Sequence, residues 1–233
     1  MMMEKTIQNE VKGGIFLISE TNPEEVFTPE DFSEEQLMMK EAVIEFIDRE
    51  VWPNKERFEQ KDYALTKTLM KKAGELGFLS IPVPENYGGM EMGFVSTMLV
   101  CDYISGATGS LSTAFGAHTG IGILPILLYG TESQKQEYLP KLASGEWFAS
   151  YCLTEPGAGS DANSGKTKAI LSEDETHYEI TGQKMWISNA GFASLFIVFA
   201  RIEDDKNITG FIVPFNQNNG IELGEEEKKL GIH

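Results

Sequence analysis

Apolar residues recur at three- and four-residue spacings up to about residue 145, and beyond it they alternate. The first helix is predicted to open at Ser33, where Ser33-Glu34-Glu35-Gln36 spells a capping box. Leu37, Ile44, Ile47 and Val51 would share one face, and Pro53 would stop the run. A second helix is expected over about 63–76, with Leu65, Leu69, Ala73 and Leu76 on its stripe and Gly77 as its stop. Segments near 94–105 and 111–128 are apolar almost all round, which predicts buried helices. Thr131-Glu132-Ser133-Gln134 is another capping box and opens a helix to about Ala143.

After Ser144-Gly145-Glu146 the alternation predicts strands at about 147–154, 165–172, 177–181, 184–189, 195–202, 208–214 and 220–223. Helices first and strands afterwards is the α+β order, with three expected parts. These are an extended arm over 1–32, a helical domain over 33–145 and a β-domain over 146–233. Pro23 and Pro29 keep the arm extended.

Composition narrows the function. A net charge of −17 argues against a nucleic-acid partner, since phosphate contacts need basic density. Cys101 and Cys152 lack C-x-x-C spacing and read as reduced thiols, and a strand Cys such as Cys152 reads as packing. His118, His177 and His233 are too scattered for a metal site, and His118 reads as a hydrogen-bonded helix residue. The start of the chain lacks a signal-peptide pattern, which gives a cytoplasmic expectation. The longest apolar stretch, 121–129, contains Pro125 and is short for a bilayer. Met92, Met98 and Phe115 suit an acyl channel, but core packing is the simpler reading.

The chemistry concentrates in two segments. Tyr151-Cys152-Leu153-Thr154-Glu155-Pro156-Gly157-Ala158-Gly159-Ser160-Asp161 reads as a strand breaking into a Pro/Gly turn. Gly182-Gln183-Lys184-Met185-Trp186-Ile187-Ser188-Asn189 reads as a turn and a short strand with Trp186 and Ser188 on one face. A flat ring beside a hydroxyl, near a turn rich in N–H groups, suits an aromatic cofactor with a phosphate tail. Residues 157–162 match G-x-G-x-x-A, and 159–167 approach a P-loop. Both motifs need a helix straight after the glycines, and Asn163-Ser164-Gly165 followed by an alternating stretch is not one.

Together the two segments resemble the two flavin-binding signatures of the acyl-CoA dehydrogenase family, in order and at the family's separation. Pro84-Glu85-Asn86-Tyr87-Gly88-Gly89 is similar to family text too, and residues 13–32 resemble the leader of its long-chain branch. The resemblance implies a helical domain followed by a β-barrel-like middle domain, with the chain stopping before a C-terminal four-helix bundle. It implies FAD as cofactor, held by Tyr151, Leu153, Thr154, Gly159, Ser160, Trp186, Ile187 and Ser188. Thr154 would reach the pyrimidine edge, Trp186 would pack on the ring system, and Ser188 would sit near N5. Ser160 would touch the pyrophosphate or the CoA portion of the substrate.

The implied reaction is α,β-dehydrogenation of a fatty acyl-CoA in β-oxidation, with an electron-transfer flavoprotein as acceptor and a homo-oligomer at full length. Its general base, a glutamate, is expected in the C-terminal bundle, so no catalytic residue is assigned here and the isolated chain should be inactive and aggregation-prone. Glu155, beside Pro156, reads as structural. An acyl-CoA oxidase, a related flavin monooxygenase and a non-catalytic truncated scaffold stay open as alternatives.

Overall fold

The computed structural model describes residues 13–216 and 218–232. The first twelve residues of the expected arm and His233 lie outside the described residues. From Gly13 to Asp31 the chain makes three short 3-10 turns, Gly13–Leu17, Pro23–Glu25 and Pro29–Asp31.

Helix α1, Glu34–Phe46, starts where the capping box predicts. The Gln36 N–H donates to the Ser33 hydroxyl at 3.2 Å, and the Ser33 N–H donates to Gln36 Oε1 at 2.9 Å. Each interaction satisfies a donor that a helix start leaves without an intrahelical partner. The helix runs on as a π-turn, Ile47–Val51, before Pro53 turns the chain into α2, Lys55–Glu59. The buried face is Met39, Val43, Phe46, Ile47 and Val51. It shares Ile47 and Val51 with the expected stripe, but Leu37 is exposed and Ile44 half-buried. Helix α3, Tyr63–Glu75, is capped by Asp62, buries Leu65, Leu69, Met70 and Ala73, and leaves Leu76 exposed. Gly77 ends it at φ +82, a conformation that glycine adopts without a steric penalty.

Helix α4 is Phe94–Ser105. Then α5, Gly109–Gly116, a π-segment, Ala117–Ile123, and α6, Leu124–Tyr129, form one continuous run. Burial all round does not hold for either stretch. Phe94, Val95 and Met98 on α4 are exposed, as are Ile121, Leu128 and Tyr129 on the long run. The residues 109–129 are long and apolar enough to cross a membrane, yet half of their most apolar window is buried inside the protein. Pro125 sits at the first turn of α6, where a missing N–H is tolerated, so it does not shorten the run. Helix α7, Glu132–Ala143, opens on the Thr131 capping box.

Among the described residues, five strands form a mixed sheet: β1 Ala149–Cys152, β2 Lys168–Leu171, β3 Tyr178–Thr181, β4 Leu195–Ile202 and β5 Thr209–Pro214. β4 is its centre. β5 lies antiparallel along one edge, Leu195↔Pro214 to Ala200↔Thr209. β1 pairs parallel with Leu195 to Val198, and β2 parallel with Arg201 and Ile202. The Leu195 N–H donates to Phe148 O and the Arg201 N–H to Thr167 O. Residues an even number apart point to the same side of a strand, so β1 and β2 lie end to end on one edge of β4. β3 closes a hairpin on β2.

The sheet is not closed, which corrects the barrel-like expectation. Its hydrogen bonding opens between β3 and β5, although the Tyr178 and Phe211 rings meet there at 5.5 Å. The predicted strands at 184–189 and 220–223 do not form either.

Helices and sheet share a core. Ile123, Ile126, Leu139 and Leu142 pack with Ala149, Leu195 and Ile197. Full burial of each large aliphatic side chain stabilises by about 1.5–3 kcal/mol. Gly122 permits the closest approach, since a Cβ there would lie 2.7 Å from the Ala149 Cβ. His118 locks the same junction without any exposure. The Ala149 N–H can only donate, so His118 Nδ1 accepts it at 3.1 Å and Nε2–H donates to Leu142 O at 3.0 Å. Burial pushes its pKa down to about 4, only partly offset by the bond to Leu142, so the ring is neutral.

Candidate functional site

Because β1 and β2 occupy one edge of β4, residues 153–167 leave that edge and return to it as a projecting loop. It opens with a tight turn in which the Glu155 N–H donates to Ala158 O and the Ala158 N–H to Glu155 O. Beyond it comes only a three-residue 3-10 turn, Ala162–Ser164, and then β2. This bears out the rejection of both nucleotide motifs, since no helix N-terminus follows the glycines.

The second segment runs beside the first in the opposite sense. The Met185 N–H donates to Thr154 O at 3.0 Å, Lys184 Nζ to Leu153 O at 3.1 Å, and the Ser150 hydroxyl to Ser188 O at 2.8 Å. Asn189 Nδ2 donates across to Ala114 O on α5 at 2.9 Å. These bonds replace a strand ladder. Trp186 at φ 59 and Asn189 at φ 67 break the pleat, so 184–189 is a laced loop and period-two reasoning does not apply to it. A left-handed backbone at a non-glycine residue costs roughly 1–2 kcal/mol, and Asn tolerates it better than Trp.

The structure brings the residues at 151–154 and 186–188 together. Trp186 is 70% exposed and Ser188 is exposed, while Ile187 between them packs toward Cys152 and Phe196. The hydroxyls of Thr154 and Ser188 make no hydrogen bond to another described residue. Tyr151 is different: its ring lies 4.9 Å from the Phe199 ring and belongs to the core, and Leu153 has its carbonyl engaged by Lys184. Gly159 and Ser160 lie farther along the loop, both exposed, with nothing within 4 Å of where a Gly159 Cβ would stand. That stretch is anchored instead to the β4–β5 turn, where Asn163 Nδ2 donates to Lys206 O and the Ile208 N–H to Asn163 Oδ1. No hydrogen bond among the described residues joins Ser160 to 182–190.

Sequence reasoning read Glu155 as structural but did not find the partner, Lys184, with which it ties the segments together. Glu155, 8% exposed, accepts Lys184 Nζ at 2.7 Å, the Lys166 N–H at 2.6 Å and the Thr167 N–H at 3.1 Å. Burial alone would raise its pKa. The Lys184 ammonium and the two N–H groups outweigh burial and bring it to about 2. Glu155 is therefore ionised and fully engaged, as its structural reading requires, and is not placed to take a proton. The available signal was one buried acid in the first segment and one lysine in the second. Elsewhere, Phe115 is buried in the helical core and Met92 packs against it, whereas Met98 is exposed.

The site can thus present an exposed indole, two uncommitted hydroxyls and a glycine turn with open space above it. This donor set fits a flat aromatic cofactor with a phosphate tail. Comparison with known proteins agrees. The acyl-CoA dehydrogenase N-terminal domain matches residues 33–146, and the acyl-CoA dehydrogenase middle domain matches residues 150–233. A probable acyl-CoA dehydrogenase of Bacillus subtilis is 46% identical over 230 residues, covering 99% of this chain and 38% of the relative. The very long-chain specific enzyme of Macaca fascicularis is 39% identical over 71% of this chain and 26% of its own length. The isovaleryl-CoA dehydrogenase of Solanum tuberosum is 36% identical over 86% of this chain and 49% of its own. An acyl-CoA dehydrogenase of Bacillus anthracis, crystallised with FAD, superposes with a TM-score of 0.89 at 48% identity, covering 95% of this chain and 38% of that one. The chain spans less than half the length of these relatives, and both of its regions match: it belongs to the acyl-CoA dehydrogenase family.

Proposed function

We propose that this chain supplies the flavin-binding surface, and part of the substrate-binding surface, of an enzyme that oxidises a fatty acyl-CoA between Cα and Cβ. The cofactor is FAD, which accepts the hydride from Cβ when bound. The observation that supports the reading is the lacing of 150–155 to 184–189, which brings the segments bearing Thr154, Trp186 and Ser188 side by side.

Each residue has a distinct task. Trp186 would pack its exposed indole against the isoalloxazine. Thr154 and Ser188 would donate toward the ring's polar edge, where fixed donors stabilise the charge that reduction puts there. Gly159 and Ser160 would approach the pyrophosphate, or the CoA portion of the substrate, with N–H groups that have no acceptor among the described residues. The proton on Cα goes to a base other than Glu155, which is held ionised by its partners. On the family resemblance the electron acceptor is an electron-transfer flavoprotein and the assembly a homo-oligomer. The cytoplasm is the proposed compartment, in keeping with two free thiols, Cys101 and Cys152.

The test is the visible absorption of the purified chain after incubation with FAD and desalting. A retained, perturbed flavin band is expected, and Trp186→Ala and Ser188→Ala should each weaken it. A chain that elutes colourless would overturn the claim that these residues hold the flavin by themselves.

A further inference from the structure

The same geometry assigns a task to two residues that touch neither ring nor substrate in this reading. The loop over 155–167 leaves β4's edge after β1 and returns to it at β2, so something must close its neck. The Glu155 carboxylate does so, taking the Lys166 and Thr167 N–H groups at the returning end. Its remaining partner comes from the other segment: Lys184 Nζ donates to Glu155 Oε1 and, from the same nitrogen, to Leu153 O. The side chains are only 8% and 13% exposed, so water does little to screen the contact. The next residue along each segment, Thr154 and Met185, is then joined by its own bond.

We propose that Glu155 and Lys184 are the positioning pair of the flavin site: a buried carboxylate–ammonium contact that fixes the loop bearing Thr154 against the loop bearing Trp186 and Ser188. The inference rests on the flavin reading above. It goes beyond that reading in locating the determinant of site geometry in a pair that contacts no ligand. A hydrophobic pair of equal volume would fill the space but would fix neither the Leu153 carbonyl nor the returning N–H groups. Lys184→Met removes the donor to both Leu153 and Glu155, whereas Glu155→Gln removes the charge, keeps one acceptor oxygen and turns the other into an amide nitrogen facing donors.

Two readouts on the 233-residue chain separate positioning from simple stability. The first is FAD affinity, with the visible circular dichroism of the bound flavin, for the parent, Glu155→Gln, Lys184→Met and the double variant. Each single change should weaken binding by about tenfold and alter the flavin band, and the double variant should lose little more than the worse single one. The second needs no flavin: amide exchange at Met185 and Thr167, whose N–H groups are bonded to Thr154 and Glu155. Both amides should exchange faster in Lys184→Met, while amides in α3 stay protected. Unchanged affinity and spectrum with only a lower melting temperature would overturn the proposal, and so would unchanged exchange at both amides. If the parent itself fails to bind FAD, these residues do not hold the flavin by themselves, and the exchange data alone decide whether the pair positions the loops.

Discussion

His118 and Glu155 are both ionisable and both buried, yet the protein keeps one neutral and the other charged. His118 meets one carbonyl and one N–H, which a neutral ring satisfies with its two nitrogens. Glu155 meets two N–H groups and an ammonium, donors only, which suit a carboxylate. Burial acts against the charged form in both cases, and the neighbours decide the outcome. At the junction of helices and sheet a neutral group gives a rigid, dry contact. At the neck of the projecting loop an ionic one joins two segments far apart in sequence.

The sharpest way to break this contrast is Lys184→Met, which leaves the Glu155 carboxylate buried without its counter-charge. A loss of about 3–5 kcal/mol is expected in urea unfolding at neutral pH. Next comes acidification. His118 has its folded pKa depressed to about 4, so its contribution is present above its unfolded value near 6.5 and is lost as pH falls toward 4. That loss is on the order of 3 kcal/mol, and His118→Gln, which keeps a donor and an acceptor, should flatten it in melting curves taken between pH 7 and 4. Glu155 adds a further limb, as its contribution is lost only when pH drops from the usual carboxylate range toward 2. A smaller effect, about 1–3 kcal/mol, is expected for Gly122→Ala, which crowds the Ala149 Cβ and leaves both ionisable side chains in place. Ser33→Ala, distant from both regions, should cost about 1 kcal/mol of thermal stability through the lost cap.

The helical half was readable in the chain because its signals are local. Ser33 and Thr131 each found the glutamine three residues on, and Gly77 took the left-handed turn asked of it. Faces were harder. Leu37 and Leu76 match the helical period, but which arc is covered depends on what the neighbouring helices bring, and no spacing records that. At the site, the two motifs announced themselves by content while their geometry stayed hidden. Lys184–Glu155 spans 29 residues, and the bonds that turn 184–189 into a laced loop come from residues on a different strand and a helix. Alternation there was real as composition, but Trp186 and Asn189 take left-handed backbones that remove the pleat.

The sharing of one edge of β4 by β1 and β2 also bears on how the molecule is made. During synthesis both motif segments leave the ribosome before residues 195–202, the strand on which β1 and β2 take their register. Until β4 emerges, Phe148 and Thr167 have carbonyls awaiting their donors, and Leu195, Phe196 and Ile197 are not yet there to cover Ala149 and Cys152. The helical half can mature in that interval, because α1, α3 and α4 draw their core from residues that have already emerged. Arrival of β4 then registers β1 and β2 together, before β5 pairs along its other edge, so a nascent chain stalled before residue 195 would carry two intact motifs and no site.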